Sequence, residues 1–166
     1  AEERLAPNTR EWEKKGAVDI QVLHEMGELG FMGMTVPEEW NGAGLDYVSY
    51  ALALIEIAAG DGAVSTIMSV NNAPVCAILQ ASASDMLKEK YLKPLASGEM
   101  IGAFALTEPQ AGSDAAALQA RAKRVDGGYL ISGTKQFITS GTIAGAVIVF
   151  AVTDPDAGKK GMSAFL

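Results

Sequence analysis

The chain has one cysteine and one histidine in 166 residues, and each scarcity closes off a chemistry. The lone thiol, Cys76, forms no internal disulfide. Its setting, Ala73-Pro74-Val75-Cys76-Ala77-Ile78-Leu79, reads as a small buried hydrophobe and not as a reactive group. His24 has no partner in sequence and reads as a structural helix residue; no metal ligand set is expected. Basic residues are also few. Thirteen Lys and Arg against 20 Asp and Glu leave a formal charge of −7. Apart from Arg121-Ala122-Lys123-Arg124 and Lys159-Lys160 they are scattered, which argues against a nucleic-acid surface. No cationic segment precedes an apolar run at the start, and no uninterrupted apolar stretch approaches the ~20 residues that span a bilayer. Nucleic-acid and membrane partners are therefore not expected. Gly-x-Gly-x-x-Gly between a strand and a helix is missing, as is a Gly-Lys-Ser/Thr loop, so a Rossmann or P-loop site is excluded.

What is present is an ordinary globular composition, 49% hydrophobic and 20% charged, in a chain long enough to bury roughly 70% of its unfolded surface. From Thr9 to Ser97 the apolar period is helical, in four or five segments punctuated by glycine. Ile20, Leu23, His24, Gly27 and Phe31 share helical spacing, and Met34 to Gly44 reads as a loop. Tyr47 to Ala59 reads as a very apolar helix and Asp61 as the N-cap of the next one. Ala63 to Ala81, apolar nearly all round, is expected to be a central helix that Pro74 bends or restarts. Ser84 is expected to cap a helix over residues 85–96, facing the core through Met86, Leu87, Tyr91 and Leu95 and shortened by Pro94.

After Gly98 the period turns toward two. Ile101 to Leu106 is a short buried run, Leu118 to Lys123 alternates as a half-exposed strand, and Asp126-Gly127-Gly128 is a hairpin turn into Tyr129-Leu130-Ile131-Ser132. Ala146 to Val152 is continuously apolar and reads as a strand covered on both faces. Gly133 to Thr139 is expected to continue the sheet, and Met162 to Leu166 to start another strand. Helices first and strands second, without alternation, give an α+β fold: an all-α domain over residues 1–98 and an incomplete, barrel-like β domain over 99–166.

Two stretches combine hydroxyls, small residues and one aromatic in a way that suits a flat cofactor lying against backbone. They are Thr107-Glu108-Pro109-Gln110-Ala111-Gly112-Ser113-Asp114 and Gly133-Thr134-Lys135-Gln136-Phe137-Ile138-Thr139. Singly, Glu108-Pro109 reads as a strand exit, Gly112-Ser113-Asp114 as a turn and Phe137-Ile138 as core. Together, in this order and spacing, they closely resemble the flavin-binding signature of the acyl-CoA dehydrogenases. Pro37 to Asp46, Ser69-Val70-Asn71-Asn72 and Lys90 to Glu99 resemble the helical domain of that family, especially its short-chain and branched-chain members, so the resemblance covers nearly the whole chain.

The resemblance implies FAD as cofactor and acyl-CoA as substrate. A carboxylate removes the α-proton while the β-hydrogen leaves as hydride to the flavin, and electrons pass on to an electron-transfer flavoprotein. It implies that Thr107 addresses the flavin pyrimidine edge and Thr139 its N5, that Phe137 packs on the ring where many relatives carry Trp, and that Phe104, Leu106, Gly112 and Ile138 complete the site. Ser113 then meets the pyrophosphate or the pantetheine arm of the substrate, and Met68, Asn71, Asn72 and Val75 line the acyl pocket, although core packing explains Met68 and Val75 equally well. Glu108 belongs to the binding loop and is not the base.

The family places its catalytic glutamate in a C-terminal helical domain that also makes dimer or tetramer contacts. The chain starts without Met and stops on an apolar run, so both ends read as cut. Residues 1–166 are expected to hold the acceptor's half of the mechanism and to be inactive alone, within a homo-oligomeric parent of the bacterial cytoplasm or the mitochondrial matrix. A same-fold oxidase, a non-catalytic flavin-binding module and a cofactor-free interaction domain are the competing readings.

Overall fold

Aspartates decide where helices begin in the first half of the chain. In the computed structural model, which describes residues 1–166, α1 (Thr9–Lys15) is followed by α2 (Ile20–Glu28), α3 (Tyr47–Gly60) and α4 (Gly62–Val70). The carboxylates of Asp19, Asp46 and Asp61 accept from the backbone N–H of Gln21, Ser49 and Val64 at the starts of α2, α3 and α4. Each satisfies a donor that a helix start leaves unpaired, an arrangement worth about 1 kcal/mol. Asp61 is thus the cap its position suggests. Ser84 sits at the corresponding position of a later helix but its side chain makes no capping bond, a correction to the expectation above.

The chain divides into two compact units, Ala1–Gly102 and Ala103–Leu166. In the first, α4 runs on through a π-helical segment (Asn71–Cys76) into α5 (Ala77–Ser82) as one helix, Gly62–Ser82. A second composite helix joins α6 (Asp85–Leu87), a π segment (Lys88–Leu92) and α7 (Lys93–Ala96). Both prolines sit within continuous composite helices, Pro74 at a local change of helical register and Pro94 directly after one. Proline has no N–H for the carbonyl four residues back, and its ring crowds that carbonyl. A local widening to the π register accommodates both defects, with Pro74 inside one π segment and Pro94 just after the other.

Asn71 and Asn72 open the widened turn on the buried face that Val64 and Met68 already define, and both are essentially inaccessible. The second π segment rephases its helix: Leu92, Leu95 and Ala96 are buried, while Met86, expected on the core face, is 74% exposed. By length and composition Gly62–Ser82 would suffice to cross a membrane, although Ser, Thr, Asn and Gln interrupt its apolar run. Here it is the core helix of a helical unit, burying Val64, Met68, Val75, Cys76 and Leu79 together with its two asparagines.

Close backbone approach locks α2 onto the turn after α7. A side chain on Gly27 would collide with the Ser97 carbonyl and would stand 2.6 Å from Gly98 Cα, so only glycine fits. His24 Nδ1–H donates to Gly98 O at 2.7 Å across the same contact, the structural role its isolation suggested. On α3, only Tyr50 and Ile57 are buried, and Tyr47, Val48, Leu52 and Ile55 face outward.

The second unit is a sheet of five strands: β1 (Gly102–Ala105), β2 (Arg121–Val125), β3 (Gly128–Ser132), β4 (Ala146–Val152) and β5 (Met162–Phe165). Its order is β1-β4-β2-β3, with β5 also paired to β4. β2 and β3 form the expected hairpin, with Val125 opposite Gly128 across Asp126-Gly127 and Gly127 at φ 77°. Burial alternates from Leu118 to Lys123 as the sequence pattern suggested. β4 is less covered than its apolar run implies: Ala146, Ile148 and Ala151 are buried, but Val147, Val149, Phe150 and Val152 are half-buried. The small core of Ala120, Ala122 and Ala151, packed by Phe165, explains why one face stays partly open.

Candidate functional site

Past Thr107 the chain doubles back at once. Glu108 and Ala111 exchange two backbone hydrogen bonds of 3.0 and 3.1 Å. Pro109 and Gln110 therefore form the tip of a tight turn, with proline where its fixed φ is useful. Ala111 is buried, while Gly112, Ser113 and Asp114 are exposed. A Cβ added at Gly112 would meet nothing within 4 Å. The chain's own packing does not demand glycine there; the bare backbone is open to approach from outside.

The second stretch returns to this turn. Gln136 N–H donates to Thr107 O at 2.9 Å, and Lys135 Nζ donates to Leu106 O at 3.0 Å and to Glu108 Oε1 at 2.7 Å. The Glu108 side chain is 2% exposed. Its carboxylate also accepts from Gln119 N–H (2.6 Å), Ala120 N–H (3.0 Å) and Gln110 Nε2 (2.7 Å). Burial by itself pushes this carboxylate up, but Lys135 and the three further donors outweigh burial and hold it at about 2, against an ordinary 4.5. A carboxylate so stabilised accepts no proton from a substrate at neutral pH. Glu108 is not a plain strand exit either; it ties together loop segments from three places in the sequence.

Backbone strain marks the next turn. Phe137 and Ser140 adopt positive φ, 57° and 62°, and Gly133 lies at 148°. The expectation that this stretch continues the sheet is therefore corrected, since such angles break extended pairing. The left-handed conformation costs a non-glycine residue roughly 1–2 kcal/mol. Phe137 bears that cost with its side chain 84% exposed, so packing within the chain does not offset it. Strain held under an exposed aromatic is the pattern of a ligand site. Ile138 and Thr139 are half-buried beside it in sequence, and Ser140 Oγ is buried without a hydrogen-bond partner in the chain. If φ at residue 137 is the source of strain, Phe137→Gly will be more stable than Phe137→Ala by about 1 kcal/mol in urea unfolding. At an unstrained loop position the order reverses.

Of the remaining residues singled out from sequence, Phe104 is half-buried with its ring edge-on to Phe150 at 5.2 Å, and Leu106 and Thr107 are half-buried. Met68, Asn71 and Val75 do not line a pocket: all three are 0% exposed in the helical unit. The Asn71 amide is fully engaged with backbone, donating to Met32 O and Leu95 O and accepting from Gly102 N–H. Met68 and Val75 thus fit the core-packing alternative, and Asn71 is held by backbone in the same core. Cys76 is core as well, and burial pushes its thiol up to about 12. A concavity of about 370 Å³ between α3 and α4, lined by Leu54, Ile55, Ala58, Ser65, Thr66, Ser69 and Val70, has hydroxyls but no titratable group, and so no acid or base to activate them.

Sequence reasoning quoted Glu108, Lys135 and Ser140 as parts of motifs but missed the pairing of the first two and gave Ser140 no role. The available signal was one charged residue of each sign inside stretches otherwise made of small and hydroxylated residues.

Comparison with known proteins agrees with this layout. Residues 1–99 match the acyl-CoA dehydrogenase N-terminal domain and residues 103–166 the acyl-CoA dehydrogenase middle domain. An acyl-CoA dehydrogenase of Bacillus subtilis (strain 168) is 43% identical over 166 residues, which is all of this chain and 44% of the relative. The structure of butyryl-CoA dehydrogenase from Megasphaera elsdenii superposes with a TM-score of 0.92 at 39% identity, covering 99% of this chain and 44% of that one. A glutaryl-CoA dehydrogenase from Mycobacterium smegmatis in complex with FADH2 gives 0.91 at 34% identity, over 99% of this chain and 41% of its own. The chain thus spans less than half the length of these relatives. With both domain matches and an α+β fold shared along its length, the chain belongs to the acyl-CoA dehydrogenase family.

Proposed function

We propose that residues 1–166 supply the flavin-binding loops and helical scaffold of an FAD-dependent acyl-CoA dehydrogenase. That protein introduces an α,β double bond into an acyl-CoA thioester and hands the electrons to an electron-transfer flavoprotein. The observation that carries this reading is the strained, exposed Phe137 beside half-buried Thr139 and the unpartnered Ser140 Oγ, clipped through Lys135 and Gln136 to the Thr107 turn. An aromatic face, hydroxyls and accessible backbone fit a flat, polar-edged cofactor with a phosphate tail.

FAD, when bound, supplies the two-electron acceptor for the substrate's β-hydrogen. The chain's own residues orient and tune it. Phe137 offers a ring face, Thr107 and Thr139 offer hydroxyls to a polar edge, and Phe104, Leu106 and Ile138 form apolar surroundings. Exposed Gly112 and Ser113 suit a pyrophosphate or pantetheine group. Replacing Phe137 by Ala or Gly will weaken FAD binding by up to about tenfold, the worth of one aromatic contact.

The proton-abstracting carboxylate is proposed to lie outside these residues, in a C-terminal helical domain of a homo-oligomeric parent, with residues 1–98 and 99–166 as the first two domains. Near the two motifs the one buried carboxylate is Glu108, which is held ionised and fully engaged. The butyryl-CoA specificity of a relative at 39% identity supports a short acyl chain as first substrate to try. In a dye-reduction assay with FAD and butyryl-CoA, the parent protein will turn over, while the 166-residue chain will run at least about 100-fold slower for want of a general base. Comparable rates from the two would overturn the division of labour proposed here.

A further inference from the structure

The Lys135 ammonium lies against a backbone carbonyl, and this gives it a task that a simple salt bridge lacks. Its Nζ donates to Leu106 O at 3.0 Å while Glu108 Oε1, 2.7 Å away, holds it in place. The lysine side chain is 13% exposed, so little water screens the contact. That carbonyl belongs to the peptide whose other end is the Thr107 N–H, and the Thr107 N–H donates to no group of the chain. A cation on the carbonyl oxygen draws electron density from the amide and makes its N–H a stronger donor, since hydrogen-bonded groups in series polarise one another. The geometry points to Lys135 as a positioning residue: held by Glu108, it polarises the Leu106–Thr107 peptide and so readies the first flavin loop to stabilise negative charge on a bound cofactor.

Glu108 has two parts in this. It keeps a buried ammonium neutralised, and through the Gln119 and Ala120 N–H groups it fixes that ammonium to the loop leading into β2. Gln136 N–H on Thr107 O then holds the following peptide in place, so both sides of Thr107 are set by the second motif. Donors fixed in advance toward developing charge act without reorganisation, which is where such groups are most effective.

The inference rests on the flavin reading above, and its test separates the two. Lys135→Met removes charge and donor, Lys135→Gln keeps a donor without charge, and Lys135→Arg keeps both. In the FAD-loaded parent protein, Met and Gln variants are expected to lose roughly tenfold more affinity for reduced than for oxidised FAD, about 30 mV in the two-electron potential, while Arg stays near wild type. A residue that merely held the loop would cost both redox forms equally, and equal losses overturn the inference. A second readout needs no cofactor: in ¹⁵N-threonine-labelled protein without FAD, the Thr107 amide resonance is expected to move upfield in Lys135→Met and Lys135→Gln but not in Lys135→Arg. An unmoved Thr107 resonance also overturns it. A wild-type protein that takes up no FAD defeats the proposed function instead, and the Thr107 resonance then decides on its own whether Lys135 polarises the peptide.

Discussion

Glu108→Gln will destabilise the protein by about 3–5 kcal/mol at neutral pH, the usual result of removing one partner from a buried ion pair. The carboxylate takes four donors: Lys135 Nζ, two backbone N–H groups and Gln110 Nε2. Glutamine offers one acceptor oxygen and turns an N–H2 toward groups that are themselves donors, so at least one of them is left unsatisfied beside an unneutralised ammonium. The same substitution will flatten the acid limb of the stability curve. Glu108 sits at about 2 in the fold against an ordinary 4.5. A depressed carboxylate contributes stability that is fully present above its unfolded value and is lost as pH falls through its folded one. The loss therefore runs from pH about 4.5 down to about 2, and amounts to about 3 kcal/mol. Urea unfolding of wild type and variant at pH 7, 4 and 2.5 checks this: the gap between them should narrow steadily with acid. Two curves that fall in parallel would mean that the four donors do not hold Glu108 as the geometry indicates.

Glu108 also shows where reading from sequence reaches its limit. Signals confined to a few neighbouring residues were legible. Asp61 before an apolar helix is a cap because a short carboxylate reaches an N–H three residues on. The alternation from Leu118 to Lys123 and the Asp126-Gly127 turn specify a hairpin because side chains on a strand alternate faces and glycine accepts positive φ. The order of helices and strands, and the two motifs with their aromatic and hydroxyls, were legible for the same reason. What escaped depends on distance or on register. Glu108 and Lys135 are 27 residues apart, and nothing local pairs them. The π segment at Lys88–Leu92 shifts the phase of its helix, so Met86 is exposed while Leu92 and Leu95 are buried, which a single 3.6-residue period does not give. The left-handed turn at Phe137 goes against the intrinsic preference of its residue, so propensity points away from it. Functional positions are where local rules are expected to fail.

The two asparagines set up the second large effect. Asn71→Leu and Asn72→Leu will each cost about 3–5 kcal/mol, although leucine has the same number and branching of side-chain heavy atoms and is more apolar. Asn71 donates to Met32 O at 2.8 Å and Leu95 O at 3.0 Å and accepts from Gly102 N–H at 2.9 Å. Asn72 donates to Phe31 O at 2.8 Å and Met68 O at 3.0 Å and accepts from Met34 N–H at 2.7 Å. Leucine would satisfy none of these buried groups. Each orphaned one costs about 1–3 kcal/mol, which outweighs the gain from one more apolar side chain. Because both asparagines hold the short 3₁₀ segment Phe31–Gly33 and its flanks, the two losses are not independent. Once one asparagine is gone, that segment can move and hydrate its carbonyls, and removing the second then costs less. A double-mutant cycle by urea unfolding should therefore give a double variant less destabilised than the sum of the singles by about 1–2 kcal/mol. Strict additivity would place the segment under two separate restraints. A cost below about 1 kcal/mol for either single change would show that the buried groups facing that amide find other partners, and that the hydrogen bonds named here do not hold Phe31–Gly33 in place.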